Sequence, residues 1–116
     1  MVAYLLGMDA VFHALSDPSR RRMIDRLRPG AALSLTDLGE GLPITRQAVA
    51  KHVAVLEGAG LLRSVRRGRE RLHALTPAPL DAASAWIDER RALWAGALDA
   101  LDTALNAADP KGPDHA

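Results

Sequence analysis

The chain is most tightly constrained by the run Thr45-Arg46-Gln47-Ala48-Val49-Ala50-Lys51-His52-Val53-Ala54-Val55-Leu56-Glu57. At 100° per residue, Val49, Val53 and Leu56 share one face, and Gln47, Ala50, Lys51 and Ala54 share the other. A helix is predicted. Its outward face is small and polar, without a bulky apolar residue and without the Glu–Lys pairs of an ordinary solvated helix. Small residues between Gln47 and Lys51 let such a helix come close to another surface. Thr45 is placed to cap the first turn, leaving N–H groups that suit a phosphate. Pro43 forces a turn just before, and Gly58 and Gly60 end the helix. The expectation is a helix that enters a DNA groove.

Its neighbours extend this reading. Leu33-Ser34-Leu35 reads as a short extended piece, and Thr36 to Gly41 as a short helix capped by Ser34 or Thr36. Leu42-Pro43-Ile44 turns the chain, so two short helices meet across a tight turn, with Gly39 where they cross closely. That is a helix-turn-helix pattern, although a generic two-helix hairpin would look similar. After the second helix the period changes. Leu61–Arg66 and Glu70–Leu75 read as two strands around Arg67-Gly68-Arg69, with Val65 matched to Leu72 as inward residues. Arg66, Arg67, Arg69 and Arg71 crowd the tip. Charged edge strands resist aggregation, but arginines at a glycine-bearing tip beside a basic helix fit phosphate or minor-groove contact better.

Net charge is only +1, but it is unevenly distributed. Residues 1–44 are neutral overall. Residues 45–71 hold seven basic and two acidic groups, net +5, and residues 72–116 hold three basic and seven acidic groups, net −4. The middle suits a polyanion and the C-terminal part does not. With 116 residues the chain has the size of one domain. It has no Cys, hence no disulfide framework and no thiolate metal site. No apolar run reaches the roughly 18 residues of a membrane span, and Tyr4–Met8 is too short and unflanked for a signal peptide. A cytoplasmic protein with no membrane partner is expected.

The flanks read as helices. Val2 to Leu15 forms the first, with Met8-Asp9 as an alternative start of the chain. Asp17 caps the second and Pro18 sits at its first position. It runs to about Arg28, with Met23, Ile24 and Leu27 facing in, and Pro29-Gly30 ends it. Arg20, Arg21 and Arg22 oppose the helix dipole there, which leaves either a solvated arginine face or a phosphate or carboxylate partner. Thr76-Pro77-Ala78-Pro79 is a rigid break. Leu80 to about Asn106 is one long helix of roughly 40 Å, more than a small domain covers. Its apolar positions recur by threes and fours. All four aromatics lie toward the chain ends: Tyr4, Phe12, Trp86 and Trp94. Aromatics are favoured in buried interfaces. The first and last helices are therefore expected to pack together and against a second copy, through Phe12, Trp86, Ile87, Trp94, Leu98 and Leu101. A purely intramolecular core is the alternative. Asp109–Ala116 is expected to be a disordered tail.

The fold expected is mainly α with a small β-wing: a winged helix-turn-helix over residues 1–108 with a long C-terminal dimerisation helix. The sequence resembles the ArsR/SmtB-type transcriptional repressors over residues 8 to about 105. The matching stretches include Phe12–Arg21, Thr36-Asp37-Leu38, Leu42–Val53 and Leu56–Leu62. The resemblance implies a homodimer that binds an imperfect palindrome in a promoter. It also implies that Thr45, Arg46, Gln47, Ala50, Lys51 and His52 occupy the family's DNA-contacting positions, beside Arg66, Arg67 and Arg69 of the wing. At Gln47 and Ala50 the family more often has Pro and Ser, so no base preference carries over. Metal sensors of the family have Cys-x-Cys where Ser34 and Thr36 stand here, and others use His and Asp on the last helix, which has no His. His13, His52, His73 and His115 lie on different elements without ligand spacing. The resemblance is thus to the metal-independent branch, with no cofactor and an effector that the sequence does not name. No nucleophile sits beside a base and no glycine-rich phosphate cradle is present, so an enzyme is not expected. A protein-interaction or RNA-binding winged helix is the competing class. The polar outward helix face argues against the first, and the narrow major groove of A-form RNA against the second.

Overall fold

The computed structural model describes residues 2–108, with side chains from 7 to 107. The proposed tail at 109–116 and the side chain of Tyr4 lie outside the described residues. The order is α1 (Val2–Leu15), α2 (Pro18–Arg26), α3 (Leu35–Gly39), α4 (Arg46–Gly58), β1 (Leu62–Arg67), β2 (Glu70–Leu75) and α5 (Ala78–Ala108). The chain divides into a compact unit over residues 1–83 and a second over 84–116.

Local chemistry sets the element ends in the first unit. Asp17 caps α2 by accepting from the Arg20 N–H at 3.1 Å. The helix stops at Arg26, two residues earlier than expected, because Leu27 leaves helical geometry to fill the core. Ser34, rather than Thr36, caps α3. Its hydroxyl accepts from the Asp37 N–H while the Asp37 carboxylate accepts from the Ser34 N–H, a reciprocal capping box that starts the helix at Leu35. At the end of α4, Gly60 takes φ +76°, its N–H donates to Glu57 O, and the Leu61 N–H donates to Leu56 O. This Schellman arrangement makes Gly60 the stop and leaves Gly58 as the last helical residue. The long helix starts at Ala78, inside the stretch expected to be a rigid break, because Pro79 is tolerated in a first turn.

The core of residues 1–83 is built from Val11 and Ala14 of α1, Met23 of α2, Leu38 of α3, Val49, Val53 and Leu56 of α4, and Leu27, Leu61, Leu62 and Ala83. Met23, Leu38, Leu56 and Leu61 are under 2% exposed, each stabilising the fold by about 1.5–3 kcal/mol of transfer free energy. The inward α4 face is the one expected. Gly39 is the crossing point of α3 and α4: a Cβ there would lie 2.6 Å from Val49 Cγ2. The strands pair antiparallel with Val65 opposite Leu72, as expected, and Leu62 opposite Leu75. They are joined by Gly68-Arg69, with positive φ only at Gly68, the sign pattern of a type II′ turn. Leu33 adds one antiparallel bridge to His73 of β2.

Arg20, Arg21 and Arg26 resolve a sequence puzzle. Arg20 donates from Nε to Ala14 O at 2.7 Å and from Nη2 to His13 O at 3.1 Å, and Arg21 donates to Leu15 O at 2.7 Å. Arg26 donates to Asp37 O and Leu38 O. Their partners are the carbonyls at the ends of α1 and α3, a structural use of Arg20 and Arg21 that the sequence did not offer, although Arg21 and Arg22 also stay exposed as a solvated arginine face would. Of Arg20, Arg21 and Arg22, only Arg22 has no side-chain partner among the described residues.

Residues 84–108 are the distal part of α5. Arg90 stacks over the Trp86 ring at 4.5 Å and pairs with Glu89, and Arg91 pairs with Asp88. No helix of the described residues is long and apolar enough to cross a membrane.

Candidate nucleic-acid interface

The site begins at the α4 N-terminus. The Thr45 hydroxyl accepts from the Ala48 N–H at 3.1 Å, which fixes where the helix starts. Beyond it Gln47, Ala50, Lys51 and Ala54 are exposed, opposite the buried Val49, Val53 and Leu56. Among the described residues neither Gln47 nor Lys51 has a protein partner, so both side chains are free to reach out. Arg46 is exposed and donates to Thr36 Oγ1 at 3.3 Å, a weak bond that links the two helices of the helix-turn-helix.

His52 departs from the rest of the expected contact set. It turns back toward α2: Nδ1 lies 3.0 Å from Arg20 Nη1, and Nε2 lies 3.9 Å from Asp17 Oδ2. One helical turn from Ala48, it sits on the flank between the inward and outward faces. It therefore seats α4 on the N-terminus of α2, where Arg20 already holds the end of α1. The Arg20 backbone N–H, with help from His52, holds the Asp17 carboxyl below its ordinary range despite partial desolvation.

The wing carries the second half of the site. Arg66, Arg67 and Arg69 are exposed and have no protein partner among the described residues. Arg66 lies directly opposite Arg71, an unfavourable like-charge cross-strand pair. Arg71 is partly relieved: Nε donates to Ser64 Oγ at 2.9 Å and Nη2 lies 3.7 Å from Glu57 Oε2. Arg66 has no such relief, as a surface kept for a polyanion would require.

Glu57 is the residue that sequence reasoning missed. From the last turn of α4 it accepts from Ser64 Oγ at 3.3 Å, and its Oε1 lies 3.0 Å from Nδ1 of the buried His73, close but off the line of a linear hydrogen bond. One carboxylate thus ties α4 to both wing strands and fixes where the arginine tip sits relative to Gln47 and Lys51. The period of two in β2 puts Arg71 and His73 on one face, but nothing local says that a helix carboxylate meets them.

Among the described residues no group of three His, Asp or Glu side chains converges to hold a metal. Ser34 and Thr36 both spend their hydroxyls on structural bonds, to Asp37 and Arg46.

The pattern of a helix-turn-helix domain family matches residues 15–65. The chain is 41% identical over 87 residues to YuzN, an uncharacterized HTH-type transcriptional regulator of Bacillus subtilis, covering 69% of this chain and 95% of the relative. It is 29% identical over 80 residues to the transcriptional repressor SdpR of the same organism, covering 69% and 88%. An ArsR-like transcriptional regulator from Rhodococcus sp. RHA1 superimposes with a TM-score of 0.74 at 33% identity, over 85% of this chain and 92% of that one. An exposed polar face on α4, an arginine-tipped wing and likeness to such regulators over more than two thirds of the chain lead to one conclusion: the chain belongs to the ArsR family of winged helix-turn-helix transcriptional regulators.

Proposed function

We propose that this regulator is a cytoplasmic homodimeric repressor that binds a palindromic promoter operator and acts by binding alone, without catalysis and without sensing metal. The observation that carries the reading is the free pair Gln47 and Lys51 on a face of small residues, beside the unpaired Arg66, Arg67 and Arg69. Gln can pair with adenine in the major groove, and Lys51 or Arg46 with guanine or phosphate. The wing arginines supply backbone or minor-groove contacts, which position rather than specify. Dimerisation is supported by the exposed apolar positions of α5: Ile87, Trp94, Leu98, Leu101 and Leu105 recur at helical spacing and are 40–66% exposed. Repression is the role named for the relative SdpR. A soft metal needs thiolates and the chain has none; the hydroxyls in the corresponding places are poor ligands already engaged elsewhere. Repression of its own gene needs no sensor, because occupancy follows the protein's concentration.

The test is titration of the purified protein against its own upstream DNA and a scrambled duplex at two salt concentrations. Tighter binding to the upstream DNA at both concentrations, with affinity falling as salt rises, is expected. Equal affinity for both duplexes would count against an operator.

A further inference from the structure

One cavity lies away from the α4 surface. It measures about 460 Å³ and is lined by the loop after α2 and by one face of the wing, a size within the range of small-molecule sites. Its construction follows from two local features. Arg28, Pro29, Gly30 and Ala31 form a type II turn, closed by Ala31 N–H to Arg28 O at 2.9 Å with Gly30 at φ +81°. This turn fixes one rim. On β1 the period of two places Arg63, Val65 and Arg67 on a single face, with Ala74 of β2 opposite Arg63. That face supplies the other rim and the floor.

The lining is chemically one-sided. Its ionisable members are Arg28, Arg63 and Arg67, with no carboxylate among them. None of the three side chains has a hydrogen bond or ion pair among the described residues, and Glu70, the cross-strand neighbour of Arg67, makes no ion pair with it. Arg20, Arg21, Arg26 and Arg71, in contrast, are each bonded to a carbonyl, hydroxyl or carboxylate. The rest of the lining is mostly apolar, with Leu27, Val65, Ala74 and Leu75 among it. Three unpaired guanidinium groups over an apolar floor make a poor protein surface and a good receptor. Guanidinium binds carboxylate or phosphate oxygens in a two-pronged fashion, and the floor removes an apolar body from water.

We propose that this cavity is an effector site for a small amphiphilic anion, an acidic headgroup on a compact apolar body. A DNA backbone could satisfy the cations, but it has no apolar part to cover the floor and cannot enter a concavity as a small molecule does. Arg63 stands at the opposite end of β1 from the tip, while Arg67 belongs to both places. Occupancy would therefore draw Arg67 away from DNA, a consequence that rests on the DNA-binding reading; the site itself does not.

Isothermal titration of the full chain with decanoate, decyl phosphate, decanol and inorganic phosphate tests the site without DNA. Saturable one-to-one binding of decanoate or decyl phosphate is expected, about tenfold or more tighter than decanol or inorganic phosphate. Which headgroup binds better assigns carboxylate or phosphate chemistry. Arg63→Ala should weaken that binding about tenfold, as should Arg28→Ala, while Arg66→Ala, the same charge change on the opposite face of β1, should leave it within about twofold. Circular dichroism of each variant shows that it is folded. The proposal is overturned by equal binding of decanol, by equal binding of inorganic phosphate, by no saturable binding of either amphiphile, or by indifference to both Arg63→Ala and Arg28→Ala.

Discussion

In the unit of residues 1–83, Met23, Leu38, Leu56 and Leu61 are less than 2% exposed, whereas in the unit that follows Leu93, Trp94, Leu98, Leu101 and Leu105 are 55–67% exposed. The second stretch is the poorer in large apolar residues, seven of 33 against 27 of 83, yet it leaves more of them exposed. The first unit has helices and a hairpin to close a core, with arginines turned inward to cap helix ends. The distal part of α5 is a single helix. A lone helix does not bury its own stripe, and a contiguous exposed apolar face usually marks an interaction surface. The first unit thus has a core of its own, and the exposed stripe of the second is the surface on which the proposed dimer rests.

The largest expected effect lies in the first unit. Leu56→Ala removes a fully buried side chain that anchors α4 to the core and should cost about 2–5 kcal/mol of stability, measured by urea unfolding. A cost below about 1 kcal/mol would deny that this unit has a close-packed core of its own. Trp94→Ala sharpens the contrast from the other side. Trp94 is 66% exposed, so its loss should leave the secondary structure intact while weakening dimerisation by about 2–4 kcal/mol. Sedimentation at several concentrations reads this directly, and an unchanged dimer would move the interface elsewhere.

Smaller effects are expected from the proposed DNA-facing surface. Gln47→Ala should cost about 1–3 kcal/mol at one base position and relax preference there; equal loss on every sequence would mean that Gln47 does not read bases. Arg67→Ala removes two cations per dimer. The slope of log affinity against log salt should flatten by about 2, and an unchanged slope would place the wing tip away from DNA.

Elements whose cause is local were legible in the sequence. The inward face of α4, the Thr45 and Asp17 caps, the Val65–Leu72 register and the close crossing at Gly39 follow from period, cap chemistry and glycine. The exposed set Gln47, Ala50, Lys51 and Arg66 was legible for the same reason, because side chains left off the core face point outward, and Arg67 and Arg69 because they stand at the hairpin tip. Contacts between elements distant in sequence were not. His52 shares the basic helix with Lys51, yet its ring turns to Arg20 and Asp17, some thirty residues away. Arg20 and Arg21 looked misplaced at a helix N-terminus because their acceptors belong to the preceding helix. Glu57 enters the sequence only as one of two acids in the basic stretch, and its role follows from the fold, which brings Ser64, Arg71 and His73 around it.

The central claim is that two copies, joined through α5, present two α4 helices to successive major grooves, with half-sites about one helical turn, ~34 Å, apart. The most direct measurement uses a duplex from the chain's own upstream region and a second duplex with about five base pairs, half a turn, inserted between the half-sites. Sedimentation should show two chains on the first duplex. Affinity for the second should fall to the level of scrambled DNA, because the second helix then faces the wrong side. One chain per duplex, or affinity indifferent to the insertion, would contradict the account.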